Sequence, residues 1–213
     1  MQARTPLQDR SKRTLEAILD ATEALLEERP FDKISIPEII LKAGSSTGSF
    51  YARFPAKDAL LPALYARYHA TLPERLARVR RSLERRPHTL AETARRVIDE
   101  FAAVSEDRRN LMRALTLYAR TRSDEIEPII GERTSLHEEI VEIFQPFERE
   151  IRRRDWKNAV RSGLYLVGSA IREAVLFPDA PFAAASRQPL ARLKGALTIM
   201  LVAYLTTEME NAE

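Results

Sequence analysis

The 213-residue chain contains no cysteine, and this absence excludes several kinds of chemistry. Without cysteine there is no disulfide, no thiolate nucleophile and no cysteine-ligated zinc. The chain also lacks a long apolar run, because the longest one, near Ala196–Leu205, is interrupted by Thr198. A membrane helix needs roughly 20 apolar residues. No apolar stretch follows the first basic residues, so we expect no signal peptide. These absences predict a soluble, cytoplasmic protein that has no membrane partner.

Neither sign of charge dominates, and the formal net charge is only +3. The distribution of charge is more informative than its sum. Residues 1–13 carry four basic groups against one acidic group, and residues 39–57 carry three basic groups and no acidic one. Binding to phosphate requires a local positive potential and not a global excess of cations. Two segments of the N-terminal region are therefore candidates for contact with nucleic acid.

Strand signals are almost absent, and the spacing of apolar residues is helical. Only Phe31–Ile36 shows a short alternation of apolar and polar residues. Prolines fall at or near the gaps in the helical pattern, where a missing backbone N–H costs least. The sequence predicts an all-α fold of about nine helices, at 10–28, 36–43, 47–53, 57–83, 88–105, 107–121, 125–153, 156–177 and 187–209.

Residues 35–54 carry the most specific local pattern in the chain. Ser35 and Glu38 have the spacing of a capping box at the start of a helix. Gly44 follows Ala43 at the position where helices end in a left-handed residue. Ser46 is placed to cap a second short helix, Thr47–Phe54. Two short helices joined by a glycine-containing turn match the helix-turn-helix motif.

The second of these helices has small, polar residues on its outer face, among them Thr47, Gly48 and Ser49. A helix enters the major groove of DNA when its leading residues are slim and form hydrogen bonds with base edges. The same pattern also suits a plain helical hairpin inside a bundle. From the pattern alone, both interpretations stay open.

The segment AGSSTGSFYARFPAKDAL, residues 43–60, resembles the signature of the tetracycline-repressor (TetR) family. Ile18, Ala21, Leu25 and the segment Phe31–Ile39 are similar to that family's first two helices. The resemblance covers about 50 residues. It implies a three-helix helix-turn-helix head over residues 1–56, with a basic arm at 1–13, and a helical ligand-sensing and dimerisation body over 57–213.

The resemblance also implies roles for individual residues. Ser46, Thr47, Gly48 and Ser49 occupy the start of the recognition helix, which approaches the bases. Residues at positions that usually hold phosphates are Ser35, Tyr51, Arg53 and Lys57. Two residues depart from the family pattern: Ser45 stands where an apolar residue is common, and Ala56 stands where a Ser or Thr cap is common. Loss of such a cap costs about 1 kcal/mol.

Enzymatic motifs are present only in fragments. Gly44–Gly48 satisfies G-x-S-x-G, but a nucleophile elbow needs a preceding strand, and residues 36–43 read as a capped helix. His137-Glu138 begins like H-E-x-x-H, but Val141 stands where the second histidine belongs. The sequence therefore predicts no enzyme, no metal site and no cofactor.

The C-terminal body has two strongly apolar helices, near 156–177 and 187–209, which contain several small residues. They bury their apolar faces within their own chain, or they meet a second copy in a four-helix interface. The family resemblance favours the homodimer. Two heads that read successive major grooves must also be held roughly 34 Å apart, which requires a dimer.

The middle helices are expected to enclose a pocket for a small molecule that the sequence does not identify. Its candidate lining residues are equally compatible with a plain core: Phe101, Met112, Leu115, Tyr118, Phe144, Trp156 and Tyr165. Mostly apolar walls with a few polar groups are usual for such a site. Arg113, Arg120 and His137 are candidates for the polar groups.

These features predict a repressor that a small molecule releases from a palindromic DNA operator. The predicted helix 57–83 joins head and body and contains Pro62 and Pro73, each expected to kink it. Bound ligand would tilt this helix if it bound the DNA-incompetent state more tightly. The alternative function is a helical ligand-binding or scaffold protein that has lost specific DNA binding.

Overall fold

All regular secondary structure in the described residues is helical, as the sequence predicts. The computed structural model describes residues 6–85, 87–122, 133–185 and 188–208. Within these ranges there is no β-strand, and the α-helices are α1 Pro6–Glu28, α2 Ile36–Lys42, α3 Thr47–Tyr51, α4 Leu60–His69, α5 Leu72–Glu84, α6 Leu90–Asp107, α7 Arg109–Thr121, α8 Arg133–Glu142, α9 Trp156–Leu176, α10 Pro181–Ala185 and α11 Leu190–Thr206. Short 3-10 turns lie at Phe31–Lys33, Lys57–Ala59 and Gln145–Phe147.

The prediction of one long helix over 57–83 is wrong. The chain forms two helices there, α4 and α5, which are separated at Ala70-Thr71. Pro62 is the third residue of α4, and Pro73 is the second residue of α5. The first backbone N–H groups of a helix have no partner within it, so proline costs no hydrogen bond at either position. Both prolines therefore support helix starts and do not kink one continuous helix.

The helix expected over 125–153 is shorter than predicted. Residues 123–132 lie outside the described part, and α8 ends at Glu142. Phe144 and Phe147 are buried around the 3-10 turn that contains Pro146. Pro146 cannot donate a hydrogen bond to the carbonyl four residues earlier, that of Glu142, so an α-helix that continued through it would lose this bond. Likewise, the helix expected over 187–209 begins at Leu190, directly after Pro189.

The described chain divides into two compact units, and the first contains residues 6–70 together with 108–122. In this unit α1 packs against α2, α4 and α7, and α7 also contacts the 3-10 turn at Phe31–Lys33. Its buried core consists of apolar side chains that include Ile18, Leu25, Leu26, Phe31, Ile34, Ile39, Phe50, Phe54, Leu60, Leu64, Leu111 and Leu115. This unit therefore gains a helix, α7, from a distant part of the sequence.

The second unit contains residues 71–107 and the described residues from 133 onward. Here α6, α9 and α11 pack against one another, and α5 contacts α6 and α8. The core side chains between them include Val97, Ile98, Val160, Leu164, Val167, Ile171, Leu197, Leu201 and Leu205. No helix in the described ranges is long and apolar enough to cross a membrane.

Gly163 lies where α9 and α11 approach each other closely. A Cβ atom at this position would collide with Cδ1 of Leu201 and would contact the ring of Tyr204. Leu201 is only 3% exposed, so its side chain has little room to move. At Gly168, on the same helix, an added Cβ would instead meet the guanidinium tip of Arg172, a long and flexible side chain.

We expect Gly163→Ala to lower the free energy of unfolding by about 1–3 kcal/mol, because the extra methyl group overpacks the interface between α9 and α11. Urea denaturation measures the loss. The matched control is Gly168→Ala, which adds the same atom to the same helix and should change stability by less than about 1 kcal/mol. Equal losses in the two variants would contradict this account of the packing.

Candidate nucleic-acid interface

Helix α2 begins at the capping box that the sequence predicts. The Glu38 amide donates to Ser35 Oγ at 3.4 Å, and the Ser35 amide donates to Glu38 Oε2 at 2.8 Å. The Ser35 hydroxyl donates to the same carboxylate at 2.6 Å, and Arg29 donates to Oε1 at 2.8 Å. These bonds, those from Ser35 first, lower the pKa of Glu38. Ser35 is therefore already bound within the cap at the start of α2.

The turn between α2 and α3 depends on Gly44, whose φ angle is +58°. The Gly44 amide donates to the Leu41 carbonyl at 3.2 Å, and the Ser45 amide donates to the Ile40 carbonyl at 3.1 Å. This pair of bonds is the Schellman motif, which satisfies carbonyls at the end of a helix and requires a left-handed residue. Glycine adopts that conformation without a steric penalty.

Helix α3 is only five residues long, and side chains fix both its start and its inner face. Ser46 accepts a hydrogen bond from the Ser49 amide at 3.1 Å, which confirms the predicted N-cap. On the inner face, Phe50 is fully buried and its ring lies 5.6 Å from that of Phe54. The helix is thereby anchored on one side and capped at its start.

The outer face of α3 presents small polar groups. Thr47 and Gly48 are exposed, Ser49 is half-buried, and Tyr51 is 51% exposed. The Ser46 hydroxyl donates to Ser49 Oγ at 2.9 Å, so the hydroxyl proton of Ser49 remains free to point outward. A slim helix face with hydroxyl donors fits the width and the hydrogen-bonding pattern of a major groove.

Arg53 lies directly after α3 and is bound within its own unit. Its NH1 group donates to the Ser49 carbonyl at 2.7 Å. Its NH2 group donates to the carbonyl and the hydroxyl of Ser11, at 3.2 and 3.1 Å. Arg53 thus joins the end of α3 to the first turns of α1.

Lys57 is bound in a comparable way. Its ammonium group donates to the carbonyl oxygens of Phe31 and Ile34, both at 2.9 Å, and lies 4.7 Å from the centre of the Phe31 ring. The side chain is half-buried. The two cations that the family resemblance assigned to phosphates are therefore both engaged with backbone carbonyls.

The basic residues near the start of the chain lie on an ordered helix. Helix α1 begins at Pro6, so Arg10, Lys12 and Arg13 are helical, and all three are exposed. Arg4 lies outside the described residues. Because Arg53 bonds to Ser11, these cations are held close to the end of α3. The predicted basic arm is thus, over these residues, a helical extension of the first unit.

Comparison with known proteins agrees with this geometry. The model of a family described as bacterial regulatory proteins, tetR family, matches residues 18–64. This N-terminal segment is a TetR-family domain. The HTH-type transcriptional regulator YvdT of Bacillus subtilis is 45% identical over 49 residues, which are 23% of this chain and 25% of that protein. The match therefore spans about a quarter of the relative's length.

Two solved structures share the fold of nearly the whole chain. A protein from Mesorhizobium loti MAFF303099 assigned to the TetR family has a TM-score of 0.64 at 22% identity, over 92% of this chain and 96% of that one. FadR of Bacillus subtilis, in complex with stearoyl-CoA, has a TM-score of 0.61 at 18% identity, over 89% and 98%. At these identities the likeness establishes the fold: an N-terminal TetR-type domain followed by a helical body.

Sequence reasoning missed an ionic network that holds the TetR-type domain to its neighbouring helices. Arg67 on α4 pairs with three carboxylates of α1, those of Glu16, Asp20 and Glu23. Arg108 pairs with Glu23 at 3.2 Å. The acidic residues recur at helical spacing along α1, which is a visible signal, but the sequence does not show which cation faces them.

Asn110 was also missed, and its role depends on the position of α7. Its side-chain amide donates to the carbonyl of Leu26, near the end of α1, at 2.8 Å. Carbonyls at a helix end have no partner within the helix, so this bond satisfies one of them. Helix α7 therefore belongs to the same compact unit as the TetR-type domain. The sequence-based division into a DNA-binding head and a ligand-sensing body instead falls between residues 56 and 57.

The seven candidate ligand-lining residues are divided between the two units. Met112, Leu115 and Tyr118 lie on α7 in the first unit, and the second unit contains Phe101, Phe144, Trp156 and Tyr165. Leu115, Tyr118 and Phe144 are buried, whereas Tyr165 is 70% exposed. Tyr165 lines an open surface groove of about 370 Å³ together with Arg161, Ser162 and Leu166.

Two adjacent serines in the turn have opposite environments. Ser46 caps α3, whereas Oγ of Ser45 is buried without a hydrogen-bond partner among the described residues. A buried hydroxyl without a partner opposes folding, because it loses its bonds to water. Serine at position 45, in place of the apolar residue expected there, therefore lowers the stability of the turn.

We expect Ser46→Ala to lower the free energy of unfolding by about 1 kcal/mol, because it removes the cap of α3. Ser45→Ala should leave stability unchanged or raise it slightly. Urea denaturation of both variants measures the difference, and each serves as the control for the other. A loss of stability in Ser45→Ala as large as that in Ser46→Ala would show that the Ser45 hydroxyl has a partner.

Proposed function

We propose that this protein is a sequence-specific transcriptional regulator that binds double-stranded DNA as a homodimer and acts as a repressor released by a small molecule. The observation that carries the proposal is the slim, exposed face of α3, which is fixed by a cap at Ser46 and by the buried ring of Phe50. A recognition helix must be rigid and must project from its domain, and the cap at Ser46, the buried Phe50 and the exposed outer face of α3 support both requirements.

Thr47, Gly48 and Ser49 are proposed to approach base edges. The hydroxyl groups of Thr47 and Ser49 are suited to donate to acceptors in the major groove, and the absence of a side chain at Gly48 permits close approach. Tyr51 and the exposed cations of α1, Arg10, Lys12 and Arg13, are suited to contact phosphates on either side.

The proposed dimer uses the outer faces of α9 and α11. Four large apolar side chains are exposed there: Tyr165 and Leu166 at 70% and 61%, and Ile199 and Met200 at 71% and 65%. The exposed residues beside them on α11 include Gly195, Ala196 and Ala203, which allow close approach of another helix. An exposed apolar surface of this kind is typical of a protein interface.

This face differs from the apolar stripes by which the sequence first marks the two helices. Val160, Leu164, Val167 and Ile171 pack inside their own chain, as do Leu197, Leu201 and Leu205. Each helix is therefore apolar on two sides. One side forms the core of the second unit, and the other is proposed to meet a second copy, as isologous interfaces do.

The ligand is proposed to be a small molecule with a large apolar part, held by some of the predicted lining residues. Support comes from their apolar character within each unit taken by itself: Leu115 and Tyr118 are buried on α7 in the first unit, and Phe144 is buried in the second. The similar structure of FadR from Bacillus subtilis contains stearoyl-CoA, which is a property of that protein. Release of DNA requires that the ligand bind the DNA-incompetent state more tightly.

DNA binding is tested by selecting bound sequences from a random duplex pool. We expect the full-length chain to enrich a palindrome, and a Thr47→Ala plus Tyr51→Ala variant to lose that enrichment, because two groups proposed to contact DNA are removed. The matched control is Thr121→Ala, at an exposed threonine of α7. If the full-length chain enriches no sequence, the alternative of a helical ligand-binding or scaffold protein replaces the regulator.

The dimer is tested by light scattering coupled to gel filtration. Ile199→Glu plus Met200→Glu should convert a dimer into a monomer, because two charges would be buried without partners. Leu117→Glu, at a leucine of α7 that is 44% exposed and lies outside this face, is the control and should remain dimeric. A dimer that survives both glutamates would place the interface elsewhere.

A further inference from the structure

The start of α1 extends beyond the apolar core of its unit. Helix α1 begins at Pro6, and the first buried side chains described on it are those of Ile18 and Leu19. The side chains of residues 10–13 are all exposed. The ends of helices fray in water when no tertiary contact covers them. Contacts from another element are therefore important for holding these turns of α1 in one place.

Arg53 supplies such a contact from the segment directly after α3. Its NH2 group donates to the carbonyl and the hydroxyl of Ser11, at 3.2 and 3.1 Å, across 42 positions of the sequence. Its NH1 group donates to the carbonyl of Ser49, inside α3, at 2.7 Å. Because the guanidinium group is planar and rigid, these bonds fix the position of Ser11 relative to α3. We refer to them as the Arg53 tether.

The tether holds positive charges close together. Three exposed cations lie on the same turns of α1 as Ser11, and these α1 cations are Arg10, Lys12 and Arg13. The guanidinium group of Arg53 adds a fourth positive charge beside them. Like charges repel one another, so the hydrogen bonds of the tether act against a repulsion that the phosphates of DNA would relieve. The arrangement therefore suits a polyanion that covers the end of α3 and the start of α1 together.

We propose that Arg53 is a positioning residue: through Ser11 it holds the start of α1 beside α3, so that the α1 cations and the recognition helix bind DNA as one surface. This inference rests on the proposed function, because it concerns how the same interface is assembled. A phosphate contact by Arg53 itself is compatible with this role, since the tether does not use the Nε–H group.

The tether is tested first without DNA, by hydrogen exchange of the full-length chain followed by mass spectrometry. We expect Arg53→Met to speed exchange of the amides of residues 10–17 about tenfold, as when hydrogen bonds from a charged group are lost. Exchange of residues 18–26, in the buried part of α1, should stay unchanged, which separates local opening from a loss of global stability. The control is Lys33→Met, at a 73% exposed lysine of the same unit, and it should affect neither segment.

Ser11→Ala tests the other end of the tether without changing any charge. It removes the hydroxyl acceptor of Arg53 and leaves the carbonyl acceptor, so exchange of residues 10–17 should rise by less than in Arg53→Met. Thr14→Ala is the matched control, because it removes a hydroxyl of the same helix that bonds only to the carbonyl of Arg10, within α1. Exchange in Ser11→Ala should exceed that in Thr14→Ala.

The consequence for DNA is measured as the slope of log K against log salt, on the duplex that the wild-type chain enriches. Each phosphate contact contributes about 0.9 to the magnitude of this slope. Four proteins are compared: the wild type, Arg53→Met, a variant in which the α1 cations are replaced by glutamine, and the combination of both changes.

We expect Arg53→Met to reduce the slope by at least about 0.9 more in the wild-type background than in the glutamine background. The reason is that without the α1 cations the tether has no phosphate ligands to position. A phosphate contact made by Arg53 itself is lost in both backgrounds and cancels in the comparison.

Two results would overturn the proposal. Equal exchange of residues 10–17 in Arg53→Met and the wild type would show that the tether does not hold the start of α1. Equal changes of slope in the two backgrounds would show that Arg53 and the α1 cations act on DNA independently. If the wild-type chain enriches no duplex, the proposed function fails and the role of Arg53 in DNA binding fails with it, whereas the exchange data still decide separately whether the tether exists.

Discussion

Helices of seven and five residues are not stable alone in water, and the helix-turn-helix motif of this protein consists of two such helices. Several interactions in the first unit compensate for that shortness. The capping box at Ser35, the Schellman turn at Gly44 and the cap at Ser46 satisfy backbone groups at the helix ends. Burial of Ile39 and Phe50, both fully inaccessible, fixes the inner faces. Because these contacts stabilise α3, its outer face can consist of small, polar and exposed side chains.

Charged side chains also help to stabilise the first unit around these two short helices. A domain with many cations suggests many phosphate ligands, but several of these cations bind carbonyls or carboxylates of the domain itself. Arg53 and Lys57 satisfy backbone oxygens, and Arg67 balances three carboxylates of α1. A half-buried cation is stabilised when its donors are used, and partners within the domain are permanently available. Arg10 and Lys12, by contrast, are exposed and make no such bond to another described residue.

In the second unit, the decisive feature is that α9 and α11 carry large apolar side chains on two sides. The inner sides form a continuous core with α6, and Gly163 allows α9 to approach Leu201 closely. The outer sides retain Tyr165, Leu166, Ile199 and Met200 at 61–71% exposure. The described part of the chain does not cover both sides, so the architecture leaves an apolar surface exposed.

The sequence by itself determined the local elements: the all-α class, the cap at Ser35, the left-handed turn at Gly44 and the cap at Ser46. Each depends on residues no more than about five positions apart, so neighbouring side chains encode it directly. Only the tertiary structure decided the distant partners of Arg53 and Lys57, which lie 23–42 positions away, and the place of α7 in the first unit. It also decided which side of α9 and α11 stays exposed. The spacing of apolar residues shows that a face is buried, but not which helix buries it, because that depends on how all the helices pack together.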